Sequence, residues 1–250
     1  MSLTSPSLLN VAKAQYTFKL KAYIGLFTSL IALHAVAISL SLSASTFIGT
    51  SLGRTHFSSR VFSNELLVWS AVLWVFLVSA LLTTKSYRDL DTAFVSSRLS
   101  SNLANGALLL TWCVVGGLLA AFGGGMLRIG AFFALGEAAI ASQSFFMTSL
   151  ELFVGAAVTA LYMLLFGTLG YLCGTLVQAS KVFVIVNPLL LALALLVVGR
   201  DSDLNRRVLA IAGIIAQESS LALLALKMLG IAGALLGLAF LLSNNAEVRN

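Results

Sequence analysis

LeuLeuLeuAlaLeuAlaLeuLeuValVal, residues 189 to 198, is a run of ten apolar side chains with no polar residue between them. A membrane barrel strand alternates polar and apolar residues over about ten positions, so this run reads as a helix. It lies in a charge-free window, 182 to 199. Five more such windows occur, at 22–53, 66–84, 99–127, 152–180 and 219–246, the last interrupted only by Lys227. Crossing ~30 Å of hydrocarbon at 1.5 Å per residue takes about 20 residues. The windows therefore predict an all-α, polytopic membrane helical bundle. Six transmembrane helices are expected at about 22–44, 66–84, 104–125, 152–178, 182–199 and 221–243, within a single transmembrane domain covering 1–250.

Composition agrees. Of 250 residues, 59% are hydrophobic and only 10% charged, against about 25% charged in a soluble domain. That excludes a soluble globule, and a mean hydropathy of +1.01 with 2 Pro excludes a disordered chain. The net charge of +6 serves topology and anionic headgroups in such a protein rather than nucleic acid.

Two stretches bear on the span count. Residues 129–150 are apolar enough to cross, but Glu137 and AlaSerGlnSer at 141–144 favour an external loop with a partial helix over a seventh span. ValLeuAlaIleAlaGlyIleIleAla at 208–216 is too short to cross and predicts a re-entrant or interfacial helix, placing short external helices before the last span. Before the first span, residues 5–21 read as an amino-terminal interfacial helix, capped by Ser5 with Pro6 at its first position, or else as a tail. A cleaved signal is rejected, because about 21 residues precede the apolar stretch. Lys13, Lys19 and Lys21 just ahead of the first span set both termini inside.

Chemistry is sparse. No lysine follows a glycine, so a phosphate-binding P-loop is absent; His34 and His56 form no metalloprotease motif, and the serines, Ser51 of GlyThrSerLeuGly (49–53) included, have no intramembrane His and Asp pairing to activate them. No enzyme activity and no bound cofactor or metal is expected of this chain. Cys113 and Cys173 fall inside spans and read as packing residues. Lys227 is the only charge deep in a span, a gate candidate or a structural cation, and Glu218 nine positions earlier faces the opposite side of the helix. Asn187 and Pro188 should kink the fifth span. Gly170 with Gly174, and Gly233 with Gly237, form small-residue faces for the bundle or for a dimer seam. The segment 85–104 is amphipathic and mixed in charge, with Asp91 a plausible helix cap, and suits either docking into a partner's groove or lying on headgroups.

The order of these features resembles the type 2 ABC exporter permeases, the membrane subunits of ATP-driven exporters. The likeness is carried by PheValSerSerArgLeuSerSerAsnLeuAlaAsn (94–105), GlyTyrLeuCysGlyThrLeuValGlnAlaSerLys (170–181), GluSerSer (218–220) with Lys227, and the ending SerAsnAsnAlaGluValArg (243–249). The resemblance implies a cytosolic ABC ATPase partner holding ATP and magnesium, a second permease subunit as homo- or heterodimer, and a coupling helix between the second and third spans. Docking would then fall to Tyr87, Arg88, Asp89, Asp91, Phe94 and Arg98. It also implies the cell inner (cytoplasmic) membrane, with lipid and no nucleic acid as partner. The chain departs from the family in lacking a large external domain and in its long apolar 126–150 connection. A membrane scaffold or immunity-type protein, or an ion-coupled secondary transporter, are the other readings; few buried carboxylates speak against the last.

Overall fold

The computed structural model describes residues 7–43, 46–52, 55–61, 64–84, 87, 98–135, 148–180, 182–187, 189 and 220–245. Helix α1 (Leu8–Ala22) starts at Ser7, whose carbonyl accepts from the Asn10 and Val11 amides at 3.0 and 3.2 Å and whose hydroxyl accepts from Asn10 at 3.4 Å. The cap thus falls on Ser7, while Ser5 and Pro6 lie outside the described residues. One turn residue, Tyr23, separates α1 from α2 (Ile24–Ser43).

The connection after α2 departs from an all-helical chain. Strands β1 (Thr46–Leu52) and β2 (Thr55–Val61) pair antiparallel, with Thr46 opposite Val61 and Leu52 opposite Thr55. The segment is rich in Thr, Phe, Ile and Val, side chains that lose rotamer freedom in a helix and fit a pleated surface. Reading this stretch only for apolar length missed that signal.

Helix α3 (Glu65–Leu82) places Glu65 in its first turn, where the helix dipole favours a negative charge. Helix α4 (Arg98–Leu135) has 38 residues, or about 57 Å, nearly twice the hydrocarbon thickness. It extends the third span well beyond 104–125 at both ends and absorbs the first part of the 129–150 stretch. Only 136–147 then separates it from α5 (Ser149–Ala179), and twelve residues are too few to cross. At the start of α5 the Glu151 carboxylate accepts from the Thr148 amide at 3.0 Å, the glutamate half of a capping box. Residues 183–187 are helical, and α6 (Leu221–Asn245) is the last element.

Helices α2 to α6 are each long and apolar enough to cross a membrane, five among the described residues. Only 17% of the α6 window is buried, and Leu226, Leu238 and Leu241 stand more than half exposed. The interior, by contrast, holds Ser79, Thr83, Thr168 and Thr175, each donating its hydroxyl to a carbonyl three residues back. An apolar outside, with these hydroxyls bonded to their own helices inside, is the pattern of a chain solvated by lipid. The protein is a multi-pass membrane protein. Of the expected fifth span at 182–199, residues 182–187 and 189 are described, and the 208–216 segment lies outside the described residues.

By internal contacts the chain forms two compact units, whose boundaries fall inside α1, α3, α4 and α5. The first comprises residues 1–21, 75–111 and 164–250; the second comprises 22–74 and 112–163.

Candidate functional site

In the first unit a chain of polar side chains joins three helices. Lys19 of α1 donates to Asn105 Oδ1 of α4 at 2.6 Å and lies 3.5 Å from Ser101 Oγ. Asn105 Nδ2 donates to the Tyr171 hydroxyl of α5 at 3.3 Å, and that hydroxyl donates to Asn102 Oδ1 at 3.0 Å. Lys19 is only 2% exposed, so its ammonium depends on these acceptors in place of water. A second contact, Tyr16 Oη to Thr111 Oγ1 at 2.9 Å, fastens α1 further along α4.

The sequence places these groups by spacing. Ser101, Asn102 and Asn105 lie within one turn of α4, and the i, i+4 pair Ser101 and Asn105 presents one polar spot to Lys19. Gln15, one turn before Lys19 on the same face of α1, is fully buried, and its carboxamide makes no hydrogen bond among the described residues. The Tyr171 ring meets Phe240 of α6 edge-on, with centroids 6.3 Å apart.

Beside this network α5 runs close to α3. A β-carbon on Gly170 would collide with the Phe76 carbonyl and lie 2.5 Å from Ser79 Oγ; one on Gly174 would collide with Thr83 Oγ1 and lie 2.8 Å from the Ala80 carbonyl. Only glycine permits that approach, so this small-residue pair is a bundle contact. Gly233 and Gly237 meet nothing within 4 Å among the described residues. The two glycine pairs, alike in sequence, differ in use.

Of the other expected site residues, Asn187 Nδ2 donates to the Cys173 carbonyl at 3.2 Å. Lys227 is half-buried in α6, where it has a partner. Tyr87 is half-buried, its amide donating to the Thr84 carbonyl at 3.1 Å. Arg98 opens α4. Arg88, Asp89, Asp91, Phe94, Pro188 and Glu218 lie outside the described residues. Reading lysines only as topology signals missed Lys19; the asparagines at 102 and 105, with Ser101 at the polar start of α4, were the signal that pointed to its acceptors.

The second unit is built differently. Leu30 and Met163 press on Gly116, and Ala156 and Ala160 press on Gly117. Trp74 and Trp112 meet edge-on at 6.0 Å, with Trp74 Nε1 donating to Ser29 Oγ at 2.9 Å. His34 Nδ1 bonds the Leu30 carbonyl at 2.9 Å, and its buried Nε2 has no hydrogen-bond partner among the described residues. No cluster of three or more His, Cys, Asp or Glu suited to a metal occurs among the described residues. No family model, curated protein or solved structure matches the chain.

Proposed function

We propose that the chain is the membrane subunit of an ATP-driven exporter of the type 2 ABC class, with hydrolysis supplied by a separate cytosolic ATPase. The observation that carries the reading is the Lys19–Asn105–Tyr171–Asn102 network. It ties α1 and α5 to the first two turns of α4, which overlap the 85–104 segment that the resemblance assigns to ATPase docking. A displacement of that segment reaches three helices through side chains with alternative partners. Nucleotide-driven closure of an ATPase pair would then favour one arrangement by differential contact at the docking surface.

The same reading calls for six spans with both termini on one side, and two contacts support it. Seven residues past Ser180, Asn187 sits against Cys173, seven residues before it, so the chain doubles back along α5. Phe240, near the end of α6, packs against Tyr171, near the end of α5, and faces Gly106 near the start of α4. Helices α5 and α6 therefore run in the same direction, as the six-span reading requires. The end of α6 reaches the portion of α4 that α1 also holds, which suits termini on one face, assigned to the cytoplasm of an inner membrane.

Affinity purification of the tagged chain in mild detergent, with mass spectrometry and an ATPase assay, tests the proposal. A stoichiometric ATPase that is lost on Arg88→Glu with Phe94→Asp is the expected result. An ATPase retained by that variant overturns the docking segment. A preparation with no ATPase and no ATP turnover overturns the exporter reading in favour of a scaffold or a carrier.

A further inference from the structure

Helix α1 has two faces that the lysines divide between them. At about 100° per residue, Ala12, Gln15 and Lys19 fall within an arc of about 60°, and all three are buried. Lys13, Thr17 and Lys21 fall within another arc of about 80° on the opposite side, and all three are exposed. This outer arc lines a shallow cleft of about 650 Å³ with Asn10, Ala14 and Phe18. Thr17 donates its hydroxyl to the Lys13 carbonyl at 2.9 Å, so the side chain is satisfied within the helix. The Lys13 and Lys21 ammonium groups and the Asn10 carboxamide remain on the cleft as donors. Leu9, 73% exposed, and Phe18, 41% exposed, flank the basic arc on either side.

Position along the chain fixes what such a face meets. Lys21 stands three residues before Ile24, where the 20-residue apolar helix α2 begins, so it lies within about 5 Å of rise from the start of the first span. That is the level of the headgroups, and a basic arc bordered by exposed apolar side chains is the pattern of a helix lying in that layer.

We propose that the outer face of α1 is a binding site for anionic phospholipid headgroups, with Lys13 and Lys21 each taking one lipid phosphate. Eight residues separate the lysines by about 12 Å along the axis, too far to share a phosphate. Each headgroup thus has its own cation, and Asn10, within one turn of Lys13, adds a neutral donor there. The opposite face, through Lys19, is bonded to α4. Headgroup composition therefore acts on the helix that holds the start of α4. The proposal rests on the multi-pass membrane reading and not on the exporter assignment.

Native mass spectrometry of the full chain, released from nanodiscs with equal phosphatidylglycerol and phosphatidylcholine, measures the preference directly. At about fivefold for each lysine near a charged surface, the expected preference for phosphatidylglycerol is about fivefold in the chain carrying one lipid and roughly thirtyfold in the chain carrying two. Lys13→Gln with Lys21→Gln should bring it close to one, and Lys13→Arg with Lys21→Arg should keep it. The arginine pair preserves charge, so it separates loss of the site from loss of the fold. Equal retention of both lipids by the natural chain, or an unchanged preference in the glutamine pair, overturns the proposal. Displacement of the bound lipid by inorganic phosphate or by short RNA, each at micromolar concentration, overturns it in favour of a free anion or a nucleic acid. A chain that washes from membranes in alkaline carbonate overturns the membrane reading and the site with it, and that arm is read before any lipid is added.

Discussion

The two units of this chain solve the same packing problem by different means. In the first, polar atoms join α1, α4 and α5 through Lys19, Asn105, Tyr171 and Asn102, beside the close approach of α5 to α3 at Gly170 and Gly174. In the second, shape does it, with Leu30 and Met163 against Gly116 and the Trp74–Trp112 edge contact. Lipid tails are as apolar as leucine, so burial of leucine alone gives membrane helices little reason to associate; close backbones and hydrogen bonds supply the specificity. The first unit has most of the hydrogen bonds between side chains of different helices among the described residues, and the second has the ring and methyl contacts.

The strongest way to break this contrast is through glycine. Gly170→Leu should cost about 3 kcal/mol or more, because the side chain meets the Phe76 carbonyl, which cannot turn aside. Gly233→Leu should keep or slightly raise the melting temperature in detergent, since nothing lies within 4 Å of that site among the described residues and leucine is the better helix former. Equal loss of monodisperse protein from both variants would show that α6 is covered by a surface that the chain presents elsewhere.

Next in size is the polar network. Asn105→Leu removes the 2.6 Å acceptor of Lys19 and should cost about 1.5–3 kcal/mol, the range for a hydrogen bond to a charged group. Adding Lys19→Met should recover part of that loss, since no ammonium is then left with its acceptor missing. The measurement is thermal unfolding of the two variants in one detergent. Additive losses would mean that the two residues act independently, contrary to the geometry.

The helices that carry this contrast were legible in sequence to different depths. Charge-free windows located α2, α3, α5 and α6 within a few residues, because an uncharged run long enough to cross hydrocarbon has few other uses. They misplaced the ends of α4: Arg128 closed the window, yet the helix runs on to Leu135, since a helix may protrude beyond the slab. They also passed over the β-hairpin at 46–61, where β-branched and aromatic residues rather than apolar length decide. The Gly170 and Gly233 pairs were indistinguishable as motifs, because a small-residue spacing states that a close approach is permitted and not whether a partner is present. Lys19 was hidden for a related reason. Three lysines within nine residues read as one topology signal, whereas helical phase turns one of them toward the asparagines.

Tyr171→Phe sharpens the comparison on a finer scale. It deletes one hydroxyl that both accepts from Asn105 and donates to Asn102, and interhelical hydrogen bonds in membranes average about 0.6 and reach about 1.7 kcal/mol. Two bonds on one atom put the expected loss near the upper figure. Trp74→Phe in the other unit deletes a single bond to Ser29 and should lose about 0.6 kcal/mol beyond its change in ring contact. A larger effect at Trp74 than at Tyr171 would invert the assignment of polar glue to the first unit.

Effects of opposite sign are expected at Gly237 and Gly174. A β-carbon there enters open space among the described residues, and alanine in place of an interior helical glycine reduces the backbone freedom lost on folding, a gain of up to about 1 kcal/mol. Gly174→Ala carries the same gain but drives its methyl into Thr83 and toward the Ala80 carbonyl. The hydroxyl can rotate away; the carbonyl cannot. The propensity term is common to the two substitutions, so the difference between their melting temperatures isolates the contact. A rise at Gly237 with a fall at Gly174 is the expected result. Two rises would mean that α3 and α5 can separate by the width of a methyl group at no cost, and the second glycine face would then have to be sought on α4, where Gly116 and Gly117 lie beneath Met163 and Ala156.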